Sequence, residues 1–204
     1  MLIYNIMISE KFPNILVFDI ETIGNISSPR FVDEMEITVV GVYHYATDEY
    51  KTYFLDELPE LESDLKKAEL LVGFNNDHFD TPILNKYYSF DLNSIASFDI
   101  LREFRASTGK RLGLDAIAGM TLGFHKSGSG SNAIHLYQEG KLQELADYCL
   151  NDVKLTRELF EYCLYKQHLI YPSRDGWLRL KADMPYNIDE FIQQNTKKSQ
   201  YSLL

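Results

Sequence analysis

No stretch of this 204-residue chain approaches the ~18 consecutive apolar residues of a membrane-spanning helix, so no membrane partner is expected. The apolar start, Met1 to Ile8, lacks a basic flank and a small-residue cleavage site, which argues against a secretory leader. Cysteine is scarce. Cys149 and Cys163, read on one helix, would stand roughly 21 Å apart at about 1.5 Å per residue, too far to bridge. Buried thiols in a reducing, cytoplasmic setting are expected instead. No Cys/His cluster carries zinc spacing, and His78, His125 and His135 are too scattered to act together. Positive charge is also short: 20 Lys and Arg face 30 Asp and Glu, for a net charge of −10. That balance argues against general, sequence-independent nucleic-acid binding, which rests on a basic surface. It is compatible with an enzyme that meets phosphate through bound cations, because those cations would neutralise the site's own acids.

What is present is an ordinary globular composition, 45% hydrophobic and 25% charged, without internal repeats. One domain is expected over 1–204, with a core of motifs at about 15–170 and a C-terminal extension, 171–204. The patterning predicts strands at about 15–21, 37–45, 50–54, 70–74 and 97–101, the second and third joined through Thr47-Asp48-Glu49. Helices are predicted up to Ala68, over 81–89, 112–122 and 139–167. The last carries Leu142, Leu145, Cys149, Val153, Thr156, Phe160 and Cys163 as one buried stripe. Ser127 to Ser131 is read as flexible, Trp177 to Leu180 as a last strand, and the end from Asn195 as frayed. Strands followed by alternation point to an α/β fold, a mixed sheet flanked by helices.

The informative segment is Ile15-Leu16-Val17-Phe18-Asp19-Ile20-Glu21-Thr22. Side chains alternate along a strand, so Asp19 and Glu21 share a face. Two like charges on a mostly buried strand lose hydration and repel each other, unless a divalent cation joins them. Two further segments place acids at the ends of elements. Asp80 closes Gly73-Phe74-Asn75-Asn76-Asp77-His78-Phe79-Asp80, and Asp152 follows Tyr148 by one helical turn, on the same face. Each has a simpler reading: Asp80 as a helix cap, Asn75 as a turn former, Tyr148 as a core-edge tyrosine. Asp99 reads best as a cap for the residues after it.

Taken together, Phe18-Asp19-Ile20-Glu21-Thr22, Asn75-x-x-x-Phe79-Asp80 and Tyr148-x-x-x-Asp152 resemble the three motifs of the DEDD superfamily of 3′→5′ exonucleases, which have the ribonuclease-H-like fold. Asp147 stands where the histidine-bearing subgroup would want its histidine, so the tyrosine-bearing (DEDDy) subgroup is the better match. Gly73-Phe74-Asn75 and Tyr148-Cys149 are also similar to the proofreading domain of family-B DNA polymerases and its stand-alone or helicase-linked relatives. Polymerase palm motifs and a helicase are absent.

The resemblance implies a hydrolase that removes nucleotides from single-stranded 3′ ends of DNA or RNA, with a helicase or polymerase as a possible partner. It implies that Asp19, Glu21, Asp80 and Asp152 hold two Mg²⁺ or Mn²⁺ ions, about 3.5–4 Å apart. One ion would activate water, and the other would stabilise the leaving 3′ oxygen. Tyr148, with an ordinary pKa near ~10, would orient the water rather than deprotonate it. Thr22, Asn75 and Phe79 would lie beside substrate. Apart from the resemblance, Arg102, Arg105, Lys110, Arg111 and Lys126 form the one basic concentration between the second and third motifs, which reads either as a solvated face or as a wall against phosphates. The competing expectations are a structure-specific endonuclease on the same fold and a catalytically silent binding module.

Overall fold

The computed structural model describes residues 14–123 and 130–201. The first strand, β1 (Ile15–Ile23), lies at the centre of a five-stranded sheet. It is apolar on both faces because both are covered: Leu16, Phe18 and Ile20 enter one core, Ile15 and Val17 the other. After a short helix α1 (Phe31–Glu34), β2 (Glu36–His44) pairs antiparallel with β1, and β3 (Glu49–Phe54) pairs antiparallel with β2. Asp48 in their turn takes the left-handed φ of 55° that a short polar residue tolerates. Helix α2 (Leu58–Leu65) leads to β4 (Leu70–Gly73), parallel to β1. Then come α3 (Asp80–Leu84) and β5 (Ala96–Asp99), parallel to β4, which complete the order β3-β2-β1-β4-β5.

Three helices follow: α4 (Ile100–Thr108), α5 (Leu114–Leu122) and α6 (Gly130–Gln138). The long α7 (Leu142–Lys166) then crosses the sheet on the Ile15/Val17 face, burying Val153, Leu159, Phe160 and Cys163 against it. Leu61 and Leu65 of α2 and Ile83 and Leu84 of α3 cover the opposite face. Arg157 of α7 fastens the helix to the β2–β3 edge. Its guanidinium stacks 4.0 Å from the Tyr43 ring centroid, donates to Tyr50 Oη at 3.0 Å and pairs with buried Glu161 at 2.8 Å. A two-stranded hairpin, β6 (His168–Pro172) and β7 (Arg179–Asp183), and a final helix α8 (Ile188–Tyr201) close the chain. Phe191 and Tyr186 pack against Phe98 of β5, each with centroids 5.0 Å apart. Among the described residues, no helix is long and apolar enough to cross a membrane.

The mixed sheet flanked by helices is the architecture that the sequence predicts. Several boundaries differ for local reasons. The helix expected over 81–89 stops at Leu84 and a 3-10 turn at Asn85–Tyr87, where the Asn85 side chain takes the Leu92 N–H. The strand expected at 97–101 ends at Asp99, whose carboxylate caps α4, a helix the sequence reading did not delimit. Helix α2 ends at Leu65 rather than Ala68, and Leu142 is exposed rather than part of the buried stripe. Trp177 and Leu178 lie in the turn before β7, not in the strand. Asn195 sits inside α8, not in a frayed end. The flexible segment at 127–129 lies outside the described residues, whereas Gly130 and Ser131 begin α6.

Candidate metal centre

The register of the sheet turns Asp19 and Glu21 toward α7. They share the face of Ile15 and Val17, and they lie beyond the last residue of β1 that pairs with β4, Val17. A bulge follows at once: Glu21 pairs with Val39 and Thr22 with Ile37, so Thr38 is the extra residue on β2. Opposite Asp19, the sheet carries Gly41. A Cβ there would stand 2.9 Å from Cys149 Sγ and 3.0 Å from Val153 Cγ2, so only glycine lets α7 lie this close to the sheet. The Cys149 thiol reaches the Asp19 carbonyl at 3.5 Å.

This close approach brings Asp152 to the strand. One carboxylate oxygen from each of Asp19, Glu21 and Asp152 falls within 4.8 Å of the others, with Asp152 only 2% exposed. The same convergence appears in the neighbouring thiol: burial first, and then the charges of these three carboxylates, push the Cys149 pKa well up. A set of only oxygen donors, two on a strand and one on a buried helix face, fits a hard divalent cation.

Asp80 is attached to the same strand by a different route. Its Oδ1 accepts the Ile20 N–H at 3.1 Å, a donor beyond the reach of β4. Asp80 is the first residue of α3, with Phe79 before it, so it does not occupy the capping position. The structure therefore gathers three of the four expected acids at one point and tethers the fourth to the backbone between Asp19 and Glu21. Tyr148 lies one turn before Asp152, 4% exposed, among Val39, Ala133, Leu136 and Leu145. Val39 is the residue opposite Glu21, which puts the tyrosine along the same edge of the site.

The remaining predicted residues divide. Asn75 takes a left-handed φ of 67° and closes the turn after β4, accepting from the Phe79 N–H at 3.1 Å. Its own N–H donates to Asp99, a buried carboxylate that also caps α4 through Leu101 and Arg102 and receives Asp77 N–H. Burial raises the Asp99 pKa, and these amide donors oppose that rise. Phe79 stacks flat on Phe31, with centroids 5.9 Å apart, and Thr22 is buried at the bulge. Arg111 joins Asn75, His78 and Arg105 in a cleft of about 500 Å³ at the carboxyl ends of β4 and β5. Lys110 lies instead over the Tyr171 ring, 4.9 Å from its centroid. Lys126 lies outside the described residues.

Sequence reasoning missed Gly41. Gly41 carries a signal only once its strand partner is known, because a glycine inside an apolar strand marks a close approach of some other element. Arg105, one of the basic residues singled out in the sequence, lies on the exposed side of α4 and lines the same cleft as Arg111.

Comparison with known proteins agrees with this fold. The RNase_H superfamily profile matches residues 16–164, from the start of β1 almost to the end of α7. The chain therefore belongs to the RNase_H superfamily, and its sheet and helices are the ribonuclease-H-like fold. Among solved structures it is similar to the family B DNA polymerase from the hyperthermophilic archaeon Pyrobaculum calidifontis, with a TM-score of 0.58 and 18% identity. That match covers 73% of this chain and 24% of the polymerase, so the likeness is one of fold to part of a longer protein. No curated protein matches the chain.

Proposed function

We propose that this member of the RNase_H superfamily is a metal-dependent 3′→5′ exonuclease of the DEDDy type, acting on single-stranded DNA or RNA. The observation that carries the proposal is the meeting of Asp19, Glu21 and Asp152 within 4.8 Å, on β1 and α7, with Gly41 of the neighbouring β2 letting the helix lie close to the sheet. Carboxylates gathered this closely repel one another, and one of the three is almost fully buried. As a cradle for divalent cations they are well suited. Asp19, Glu21 and Asp152 would hold the ions, two Mg²⁺ or Mn²⁺, with Asp80 completing the set from beside Ile20. Bound there, the ions supply the positive charge that lowers the pKa of an attacking water and stabilises a departing 3′ oxygen.

The chain's own residues do the positioning. Tyr148, packed among Val39, Ala133 and Leu136, would orient a water by a hydrogen bond. The Asn75 turn, locked by Asp99, presents the cleft with Arg105 and Arg111 to the phosphates of the strand being shortened. Those cations offset the net negative charge that would otherwise repel a polyanion.

End-labelled single-stranded DNA and RNA, incubated with Mg²⁺ or Mn²⁺ beside an Asp19→Ala control, tests the proposal. Shortening stepwise from the 3′ end is expected, and it must vanish in the variant. Cleavage of a circular single strand would assign an endonuclease. Absence of both cleavage and calorimetric metal binding would assign a silent module.

A further inference from the structure

Trp177, the only tryptophan of the sequence, is 86% exposed, and Leu178 beside it is 61% exposed, in the turn that joins β6 to β7. An indole left in water forgoes one of the largest burial gains available to a side chain. Yet the turn itself is well fixed. Ser173 N–H donates to the Leu178 carbonyl and Leu178 N–H to Ser173 Oγ, both at 2.9 Å. Trp177 N–H donates to Asp175 Oδ1 at 3.2 Å, and Gly176 takes the left-handed φ of 79°. The Asp175 carboxylate is thus engaged by donors of the turn, the Ser173 hydroxyl included. The base of the hairpin is bound to the body, where Thr121 Oγ1 donates to the Ile170 carbonyl at 2.9 Å and accepts its N–H at 3.0 Å.

The surroundings of the turn are basic. Tyr171, two residues before Ser173, carries Lys110 over its ring. Arg111 follows Lys110 and shares the cleft beside Asn75 with Arg105. Neither Arg105 nor Arg111 has an ion pair among the described residues, in a chain of net charge −10. Arg174 and Arg179 flank the tip and are exposed. Exposed cations therefore run from the turn after β4 to the hairpin.

We propose that the β6–β7 turn is a stacking platform for single-stranded nucleic acid. Trp177 takes the face of an unpaired base, while Lys110, Arg111 and Arg105 follow the phosphates toward the candidate metal centre. Every base has a π-face, so the platform tolerates any sequence, and a duplex offers it no free face. The inference rests on the nuclease reading and assigns that site a second contact with the same strand, remote from the carboxylates.

Because Trp177 is the sole indole, its fluorescence reports on the tip alone. Oligothymidylate is titrated into the full chain in EDTA, where metal-dependent hydrolysis cannot occur, and binding is followed in parallel by anisotropy of a labelled strand. Saturable quenching that tracks the anisotropy is expected. Trp177→Ala should weaken binding about 5- to 150-fold, the range of one lost base–aromatic stack, with Trp177→Phe recovering most of it. Both variants should melt as the parent does, since the side chain is exposed. A strand that binds and is degraded in Mn²⁺ without quenching overturns the platform and leaves the nuclease reading intact. Neither binding nor degradation overturns both. A blue shift on raising protein concentration or adding lipid vesicles, with none from oligothymidylate, assigns the tip to a second copy or a lipid surface and overturns the platform.

Discussion

Gly41 and Cys149 meet where the long helix lies against the sheet: a Cβ on Gly41 would stand 2.9 Å from Cys149 Sγ. Asp19 is the strand partner of Gly41, and Asp152 follows Cys149 by three residues on α7. The spacing of the carboxylates is therefore set by a residue that contributes no atom to them. Gly41→Ala is expected to push α7 outward, at a cost of about 1–3 kcal/mol typical of overpacking. Metal affinity should fall further than the loss of stability alone would require. Adding Cys149→Ala should restore part of both, because it removes the nearest obstacle and leaves Val153 Cγ2 at 3.0 Å and Leu150 Cδ2 at 3.4 Å. Calorimetric titration with Mn²⁺ and thermal melts of the two single variants and the double variant check this. Independent, additive effects would show that the two residues do not share one contact.

Metal binding should also be visible without any substrate. A ligand that binds only the folded state at a hundred times its dissociation constant adds about 2.7 kcal/mol, or roughly 5–10 °C in Tm for a chain of this size. Mn²⁺ is expected to raise the melting temperature of the parent by that order, and to leave Asp152→Asn and Asp19→Asn nearly unmoved. Hydrolysis should be lost in both, while Tyr148→Phe should reduce it by a smaller factor. An equal Mn²⁺-dependent rise in Asp152→Asn would remove that residue from the ligand set.

The strand and helix that carry the acids were legible because their signals are periodic. Asp19 and Glu21 stand two apart in an apolar run, and Tyr148 and Asp152 stand four apart on a striped helix. Asp99 as a cap was legible for a similar reason, since it directly precedes an apolar helical start. Asp80 was only half legible: its position after a strand was clear, but its bond to Ile20 spans 60 residues and leaves no local pattern. Trp177 was misread as part of a strand because Trp177-Leu178-Arg179-Leu180 alternates well enough to be one. The turn is closed by Ser173, Asp175 and Gly176, and their hydrogen bonds decide where β7 begins.

Stability should depend on pH through His44. The imidazole is buried at the end of β2, 3.7 Å from Asp64 and 3.4 Å from Tyr53 Oη. Burial is the larger influence and lowers its pKa from 6.5, outweighing the attraction of Asp64 for the charged form. The unfolded chain thus takes up a proton more readily than the folded one. The contribution is complete above about pH 6.5 and is lost as pH falls through the lower folded value. Melting temperature should decline as pH drops below 6.5, and His44→Gln should flatten that decline. A parallel decline in the variant would place the titration elsewhere.

Asp80 separates structural from chemical work. Its Oδ1 is the acceptor for Ile20 N–H, which lies between the two strand carboxylates. Asp80→Asn keeps an oxygen acceptor at that distance and removes the charge, whereas Asp80→Ala removes both. The alanine variant leaves a buried N–H unsatisfied and should lose about 1–3 kcal/mol, while the asparagine variant should melt close to the parent. If Asp80 also serves the metal centre, the two variants should be similarly poor in hydrolysis despite their different stabilities, and Mn²⁺ should bind both more weakly. If its role is only to hold the strand, Asp80→Asn should hydrolyse nearly as well as the parent. Melting curves, Mn²⁺ titrations and rates on the same two proteins distinguish these cases, because the backbone bond follows stability and the ligand role follows charge.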